Sequence, residues 1–297
     1  MSKLVVPLVA VVLLLVGLVV SLLEASANQP WGQTLGDNFM FARSLPFTLG
    51  LGVALGYARS LWPRTTDPKH RFARSTIWLH WFATLAVLLG LATGGWQYLK
   101  GLLDVPSPIS MALVYRVHYL AASLLLLVVS LCVTDWWLRG ESALGVSRGG
   151  FIRALRGLAH ELPRWLGGTL GYLLGLDLRR APPVSEPFTW YERLVSFPTW
   201  VIALALITVT GIVKAMRYVF PIPGDVLYWV SAIHVGAMVL LAIKVLDHLR
   251  YVLAPSRWRM MRAMLGGSIE VATPPASRSQ PAPAEVAPAH PAVGGPA

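Results

Sequence analysis

The chain alternates long apolar runs with polar connections. About 20 apolar residues are enough for a helix to cross the hydrocarbon core of a bilayer. Four runs reach that length, roughly Ser75–Tyr98, Ser110–Leu138, Arg193–Tyr218 and Val226–Leu253. Leu4–Leu23 is a fifth run, and Ser44–Trp62 is a shorter, glycine-rich sixth. The pattern predicts an all-α integral membrane bundle, with a four-helix core and one or two further N-terminal transmembrane helices.

The predicted N-terminal unit, residues 1–62, has two interpretations at its start. Ala25, Ser26 and Ala27 follow the first apolar run and resemble a signal-peptidase cleavage site. The run is long for the apolar region of a signal peptide, which favours a retained helix over a cleaved leader. The topology of the remaining chain is the same in both cases.

The basic residues indicate how the chain is oriented. The net charge is +11, but Lys and Arg cluster in the connections between apolar runs, which argues for a lipid membrane as partner and against nucleic acid. If six helices alternate, both termini and the segments 59–74 and 139–193 share one side, here called side A, which carries 19 of the 25 Lys and Arg residues. The other side is side B. The positive-inside rule makes side A cytoplasmic and places both termini there.

The predicted core unit, residues 63–272, contains one segment that differs from its spans, and a second such segment follows it. Within 139–193, apolar residues recur at helical spacing opposite basic ones. This is typical of an amphipathic helix on the cytoplasmic membrane surface, or of a cap packed on the bundle. Residues 273–297 are rich in proline and alanine, and we expect them to be disordered.

Four of the seven histidines lie inside apolar runs, where ionisable side chains are costly and usually functional. Because the predicted helices alternate in direction, His80 and His248 share a depth near side A. By the same argument, His118 and His234 share a depth near side B. The fourteen positions from His234 to His248 correspond to about 21 Å of helical rise, with the two rings ~40° apart around the axis.

Paired imidazoles at one depth suit a haem. Two facing imidazoles ligate a planar haem iron from both sides and leave no open position for oxygen, which favours electron transfer. The single cysteine, Cys132, excludes a CxxC zinc site, a cysteine-ligated iron–sulfur cluster and a CxxCH haem attachment. Zinc and copper are disfavoured because each level offers only two obvious ligands. The alternative is four separate histidines, each bonded to a backbone carbonyl or a polar neighbour.

Other residues near these levels are candidates for contact with a flat ligand. Gly94 and Gly211 remove side-chain bulk, although close helix packing explains them equally well. The cations at each level are candidates to contact the haem propionates: Arg74 and Arg250 near side A, and Arg116, Lys214 and Arg217 near side B. For Arg74 and Arg250, anchoring by the positive-inside rule is an equally good explanation.

Several stretches resemble the cytochrome b (gamma) subunit of membrane-bound formate dehydrogenases, in the wider cytochrome b561-like superfamily. They are "RSTIWLHWFATLAVLLGLATGGW" from Arg74, "YRVHYLAASL" around His118, "FPTWVIALALITVTGIV" from Phe197, and the His234–His248 spacing followed by "LRYVLAPSRWRMMRAMLGGSIE". The resemblance covers about Phe72–Glu270, and Ser44–Trp62 is similar to an extra N-terminal helix of longer members.

The resemblance implies two b-type haems in the bacterial inner membrane. The position of His80 and that of His248 would hold a cytoplasmic-side haem, and those of His118 and His234 a periplasmic-side haem. Family members accept electrons from an iron–sulfur subunit of a periplasmic oxidoreductase, whose catalytic subunit acts on the substrate, and they reduce a quinone near the cytoplasmic-side haem.

The chain departs from the family in the stretch that helps to form the quinone site. Where relatives carry an Asn-x-Gly-Gln-Lys-like sequence, this chain has "WYERL", so Trp190, Glu192 and Arg193 are the candidate quinone contacts. The alternative interpretation is that Glu192 and Arg193 form an ion pair at the membrane interface. Lys244, one turn before His248, either snorkels toward the cytoplasm, pairs with Asp247 or delivers a proton near a quinone.

The sequence favours an electron-transfer subunit that does not itself act on the primary substrate, since no catalytic triad, metal-hydrolase motif or phosphate-binding loop is present. Close alternatives keep the cytochrome and change the partner to a hydrogenase, a sulfur-compound oxidoreductase or a cytochrome c. An alternative of another class is a helical transporter or membrane anchor without haem, whose histidines relay protons or only pack.

Overall fold

The computed structural model describes residues 2–22, 32–62, 72–104, 106–139, 192–253, 255 and 258–266. Within these ranges every regular element is helical, which confirms the predicted all-α class. The helices are α1 (Ser2–Leu22), α2 (Gly32–Leu61), α3 (Arg74–Leu103), α4 (Met111–Arg139), α5 (Phe197–Met216), α6 (Gly224–Leu253) and α7 (Trp258–Met264). One π-helical turn, Glu192–Ser196, leads directly into α5.

Four of the helices are long and apolar enough to cross a membrane, as in a multi-pass membrane protein. The spans are Arg74–Leu103, Met111–Arg139, Leu194–Met216 and Gly224–Arg250, and they confirm the four predicted core spans. The predicted fifth and sixth spans also form helices, α1 and α2. Neither α1 nor α2 is among the four helices that are long and apolar enough to span a membrane. The apolar part of α1, Leu4–Val20, is shorter than a span.

Helix α2 begins twelve residues before the predicted start of its apolar run at Ser44. Pro46, two positions later, is typical of the first turn of a helix, because proline destabilises a helix least at that position. In the structure the helix continues through Pro46. The residues just before the proline explain this, because Ala42 and Leu45 are both buried in one cluster with Leu126 of α4 and Ala215 of α5.

The core helices are antiparallel neighbours. Helix α3 packs on α4, α5 packs on α6, and α3 and α6 also touch. A second buried cluster joins Val87 of α3, Ala203 of α5 and Leu241 of α6. Many large apolar side chains point outward instead, such as Leu246, which is 66% exposed. Apolar outer faces of this kind suit a hydrocarbon surrounding.

Glycines allow α2 to lie close against α4. A Cβ atom built on Gly56 would lie 2.5 Å from the carbonyl oxygen of Leu131 and 2.8 Å from Cβ of Thr134. One built on Gly52 would lie 2.7 Å from the carbonyl oxygen of Leu127. Real Cβ atoms do not approach this closely, so this face of α2 admits only glycine. The four-residue spacing is the small-residue pattern that brings membrane helices together.

We expect Gly56→Ala to destabilise the protein by about 1–3 kcal/mol, as overpacking of a tight contact does. The measurement is the thermal midpoint in a fixed detergent. Gly101→Ala is the matched control, because Cβ there meets nothing within 4 Å and alanine improves helix propensity by ~0.5–1 kcal/mol. Equal midpoints for the two variants would contradict this packing.

A buried carboxylate joins the side-A ends of three helices. Asp135 of α4 is 1% exposed and accepts from Nη1 of Arg59 in α2 and from Nε of Arg139, each at 2.7 Å. Arg59 also donates to Oγ1 of Thr76 in α3 at 3.3 Å. Nη2 of Arg139 donates to the backbone carbonyls of Arg59 and of Trp62, the latter at 2.8 Å. The network fixes the end of α2 against α3 and α4.

Three predictions concern residues outside the described ranges. These are the possible cleavage site at 25–27, the amphipathic helix within 139–193, apart from the helix end at 139 and the turn at 192–193, and the disordered tail at 273–297. They stay predictions.

Candidate functional site

The rings of the two histidines predicted near side A lie close together. His80 lies two turns into α3, and His248 lies near the end of α6. Their ring centres are 6.1 Å apart, with the planes inclined by 58°. Metal–imidazole bonds are about 2 Å long, and the ring centre lies roughly 1 Å behind the nitrogen, so two rings on opposite sides of one iron have centres about 6 Å apart. The observed separation fits a bis-imidazole iron site.

Aromatic side chains surround this pair. The ring of Trp81 lies 5.6 Å from His80 at an angle of 73°, and the ring of Trp200 lies 6.2 Å from His248 at 86°. Nε1 of Trp81 donates to the carbonyl oxygen of Met264 at 2.8 Å, which attaches α7 to the start of α3. Flat apolar rings beside imidazoles are what an apolar macrocycle packs against.

A charged cluster lies one turn from His248. Nζ of Lys244 donates to Oδ2 of Asp247 at 2.8 Å and to Oγ of Ser196 at 3.1 Å, and the lysine is 5% exposed. Nη2 of Arg250 donates to Oδ1 of the same carboxylate at 2.8 Å. Of the interpretations of Lys244, the structure shows the pair with Asp247. Arg250 is engaged in that pair, and Arg74 is exposed at the first position of α3.

The other two histidines line one cavity. It has a volume of about 430 Å³ and lies between α3, α4, α5 and α6, with α2 along one side. His118 and His234 both line it, together with Gly90, Gly94 and Gly211. The volume falls in the range of small-molecule and cofactor sites. A Cβ atom on Gly90 would meet nothing within 4 Å, so the space beside that glycine is open.

A threonine hydroxyl holds Nδ1 of each of these imidazoles. Oγ1 of Thr93 in α3 lies 3.0 Å from Nδ1 of His118 in α4. Oγ1 of Thr210 in α5 lies 2.9 Å from Nδ1 of His234 in α6. With Nδ1 engaged, Nε2 is the nitrogen of each ring that is left for a ligand. A hydrogen bond to the second nitrogen is how proteins commonly orient a metal-ligating histidine.

Polar groups without a partner mark the same cavity. Nε2 of Gln97 and Oγ1 of Thr208 are buried, and within the described ranges neither has a hydrogen-bond partner. Lys214 and Arg217 also line the cavity and supply its positive charge. Buried polar atoms of this kind are normally satisfied, so they indicate space for a ligand or water. Arg116, the other predicted side-B cation, is exposed on α4 and is not among the lining residues.

Helix α2 contributes residues that the sequence did not single out. Phe41 and Leu45 line the cavity, and Phe41 stacks on Tyr119 with ring centres 4.6 Å apart. The hydroxyl of Tyr119 donates to Oδ1 of Asn38, which is 8% exposed. Nothing in their spacing distinguishes them from ordinary apolar packing residues, and only the position of α2 on α4 assigns them to the cavity.

The predicted quinone contacts are described only in part. Trp190 lies outside the described residues. Glu192 and Arg193 belong to the π-helical turn that precedes α5, and of their side chains nothing is described. Lys244 is the one candidate whose side chain is described, and it forms the ion pair given above. Their role toward a quinone stays a prediction.

Comparison with known proteins found no match. No model of a known family, no curated protein and no solved structure is similar to this chain. Function is therefore inferred from the geometry of the histidines. Within the described residues, no three or more His, Cys, Asp and Glu side chains come together as a metal cluster.

Proposed function

We propose that the chain is a membrane electron-transfer subunit that carries two noncovalent b-type haems. It would connect an iron–sulfur subunit of a periplasmic oxidoreductase, similar to formate dehydrogenase, with the quinone pool of a bacterial inner membrane. Substrate chemistry would belong to a separate catalytic subunit. The observation that carries the proposal is the arrangement of four imidazoles: one pair with ring centres 6.1 Å apart, and a second pair on one cavity.

His80 and His248 would hold one haem, and His118 and His234 the other. When bound, such haems supply one-electron transfer without a coordination position for oxygen. Lys214 and Arg217 provide positive charge at the side-B cavity for carboxylates, and the amide of Gln97 provides a free donor. Charge-assisted hydrogen bonds of this kind are the strong ones in a low-dielectric site.

Apolar side chains line part of the side-B cavity, among them Val87, Leu91, Leu125 and Leu241. Dry apolar surroundings strengthen the interactions of any charge held there, because little solvent is present to screen it. Near side A, Asp247 pairs with both Lys244 and Arg250. This charged cluster would lie close to where a quinone is reduced.

The test is to purify the full-length chain in nanodiscs and to record its absorption before and after adding a quinol. We expect b-type bands that the quinol, and afterwards dithionite, increases. A colourless protein would overturn the proposal and support the transporter or anchor. If dithionite develops the bands but the quinol does not change them, the chain is still a cytochrome, but its link to the quinone pool is overturned.

A further inference from the structure

A two-residue sequence recurs at the side-B histidines. Thr93 is followed by Gly94 on α3, and Thr210 is followed by Gly211 on α5. A Cβ atom on Gly94 would lie 3.1 Å from Cε1 of His118. One on Gly211 would lie 3.5 Å from Cε1 of His234. In each case the threonine contacts Nδ1 and the glycine faces the adjacent ring carbon of the same imidazole.

The direction of each threonine–histidine hydrogen bond follows from counting protons. Oγ1 of Thr93 donates to the carbonyl oxygen of Leu89 at 2.6 Å, and Oγ1 of Thr210 donates to that of Leu206 at 2.5 Å. A hydroxyl has one proton, and these short bonds use it. The remaining contact to each Nδ1 therefore requires the ring to donate. With the hydroxyl protons used in this way, the proton of each imidazole belongs on Nδ1 and the lone pair on Nε2.

We propose that Thr93-Gly94 and Thr210-Gly211 are a repeated seat that fixes the tautomer and orientation of His118 and His234 for binding through Nε2. The two threonines are positioning residues, since they act through the imidazoles. The inference rests on the proposed function, which names haem as the group that the histidines bind. It goes beyond that function because it assigns a role to residues that are not themselves ligands. Each seat lies on the helix adjacent to its histidine, so it also sets the rotation of one helix against the next.

The contact distance explains why glycine follows Thr93, whereas the 3.5 Å at Gly211 is an ordinary van der Waals distance that alanine would also accept. At 3.1 Å, a methyl group on Gly94 would press on the ring that Thr93 holds, and the hydrogen bond would lengthen. Threonine in a helix usually bonds back to a carbonyl three or four residues earlier. Here that back-bond fixes the direction of the hydroxyl group, so that its oxygen can accept a hydrogen bond from the imidazole.

The experiment compares Thr93→Val and Thr210→Val with wild type in the full-length chain as purified. Valine keeps the shape and removes the acceptor, and serine at the same positions should restore it. Thr199→Val is the control, because Thr199 makes the same back-bond, to Val195 at 2.6 Å, on the same helix as Thr210. The readouts are the rate at which haem is lost to an excess of apomyoglobin and the reduction potential of each haem.

We expect each valine variant to lose one haem about 10- to 100-fold faster, the usual effect of removing such a partner, and to shift the potential of that haem alone. The serine variants and Thr199→Val should behave as wild type. Valine variants with wild-type haem loss and potentials would overturn the inference. Alanine replaces valine where a valine variant aggregates.

A wild-type chain that carries no haem would end the proposed function but still decide this inference. In that case the ¹⁵N spectrum of histidine-labelled protein reports the tautomer directly. Protons on Nδ1 of His118 and His234, lost to a mixture of tautomers in the respective valine variant, support the seat. Protons on Nε2 in wild type overturn it.

Discussion

Replacing His234 with alanine is expected to remove one of two haems and to leave the other in place. His234 lines the side-B cavity with His118, whereas His80 and His248 form a separate pair. If each pair holds one haem, as proposed, His234→Ala would leave His118 as the only imidazole for the side-B haem, which would then be held too weakly to stay. The side-A pair shares no ligand with it, so its haem should be retained with an unchanged spectrum.

The measurement is haem per chain by pyridine haemochrome, together with the reduced spectrum. We expect two haems in wild type and one in His234→Ala. His80→Ala is the matched variant, and it should remove the other haem, so that the two variants differ in which band and which potential survive. Loss of both haems from a His234→Ala chain that elutes and melts as wild type does would contradict two independent levels.

Asp135→Asn is expected to lower the free energy of unfolding by about 3–5 kcal/mol, the usual result when one partner of a buried ion pair is removed. The substitution keeps the volume of the side chain and leaves two guanidinium groups, of Arg59 and Arg139, beside a neutral amide. Both are well buried, with side chains 17% and 13% exposed. Arg139 retains its bonds to two backbone carbonyls, so the lower end of the range is expected.

Thermal unfolding in one detergent, followed by circular dichroism, measures this effect. Asp225→Asn is the control, because Asp225 is exposed in the first turn of α6, where a carboxylate contributes only ~0.3–1 kcal/mol through the helix dipole. A drop for Asp135→Asn no larger than that of the control would show that the network at the side-A ends contributes nothing beyond a surface charge.

The features that the sequence predicted are those with a local or periodic origin. A run of about 20 apolar residues is long enough for a helix that crosses a bilayer, so the four core spans were predictable. The pair of Lys244 and Asp247 was also among the predicted alternatives, because residues three apart lie on one face of a helix. The common depth of His80 and His248 needs only alternating topology, and these rings lie together in the structure.

The features that the sequence did not predict depend on how helices are rotated and registered against one another. Asp135 and Arg59 are 76 positions apart, and nothing in either stretch indicates the other. The Thr-Gly seats are visible as dipeptides, but threonine and glycine are common in membrane helices. Only the contacts of Thr93 and Thr210 with rings on the next helix distinguish them.

The most direct test of the central claim is to determine the axial ligation of the iron in the oxidised wild-type chain by electron paramagnetic resonance and near-infrared magnetic circular dichroism. We expect all of the haem to be low-spin with two imidazole ligands, and we expect carbon monoxide to leave the reduced spectrum unchanged. High-spin iron, a methionine ligand or a carbon monoxide complex in the native protein would contradict it.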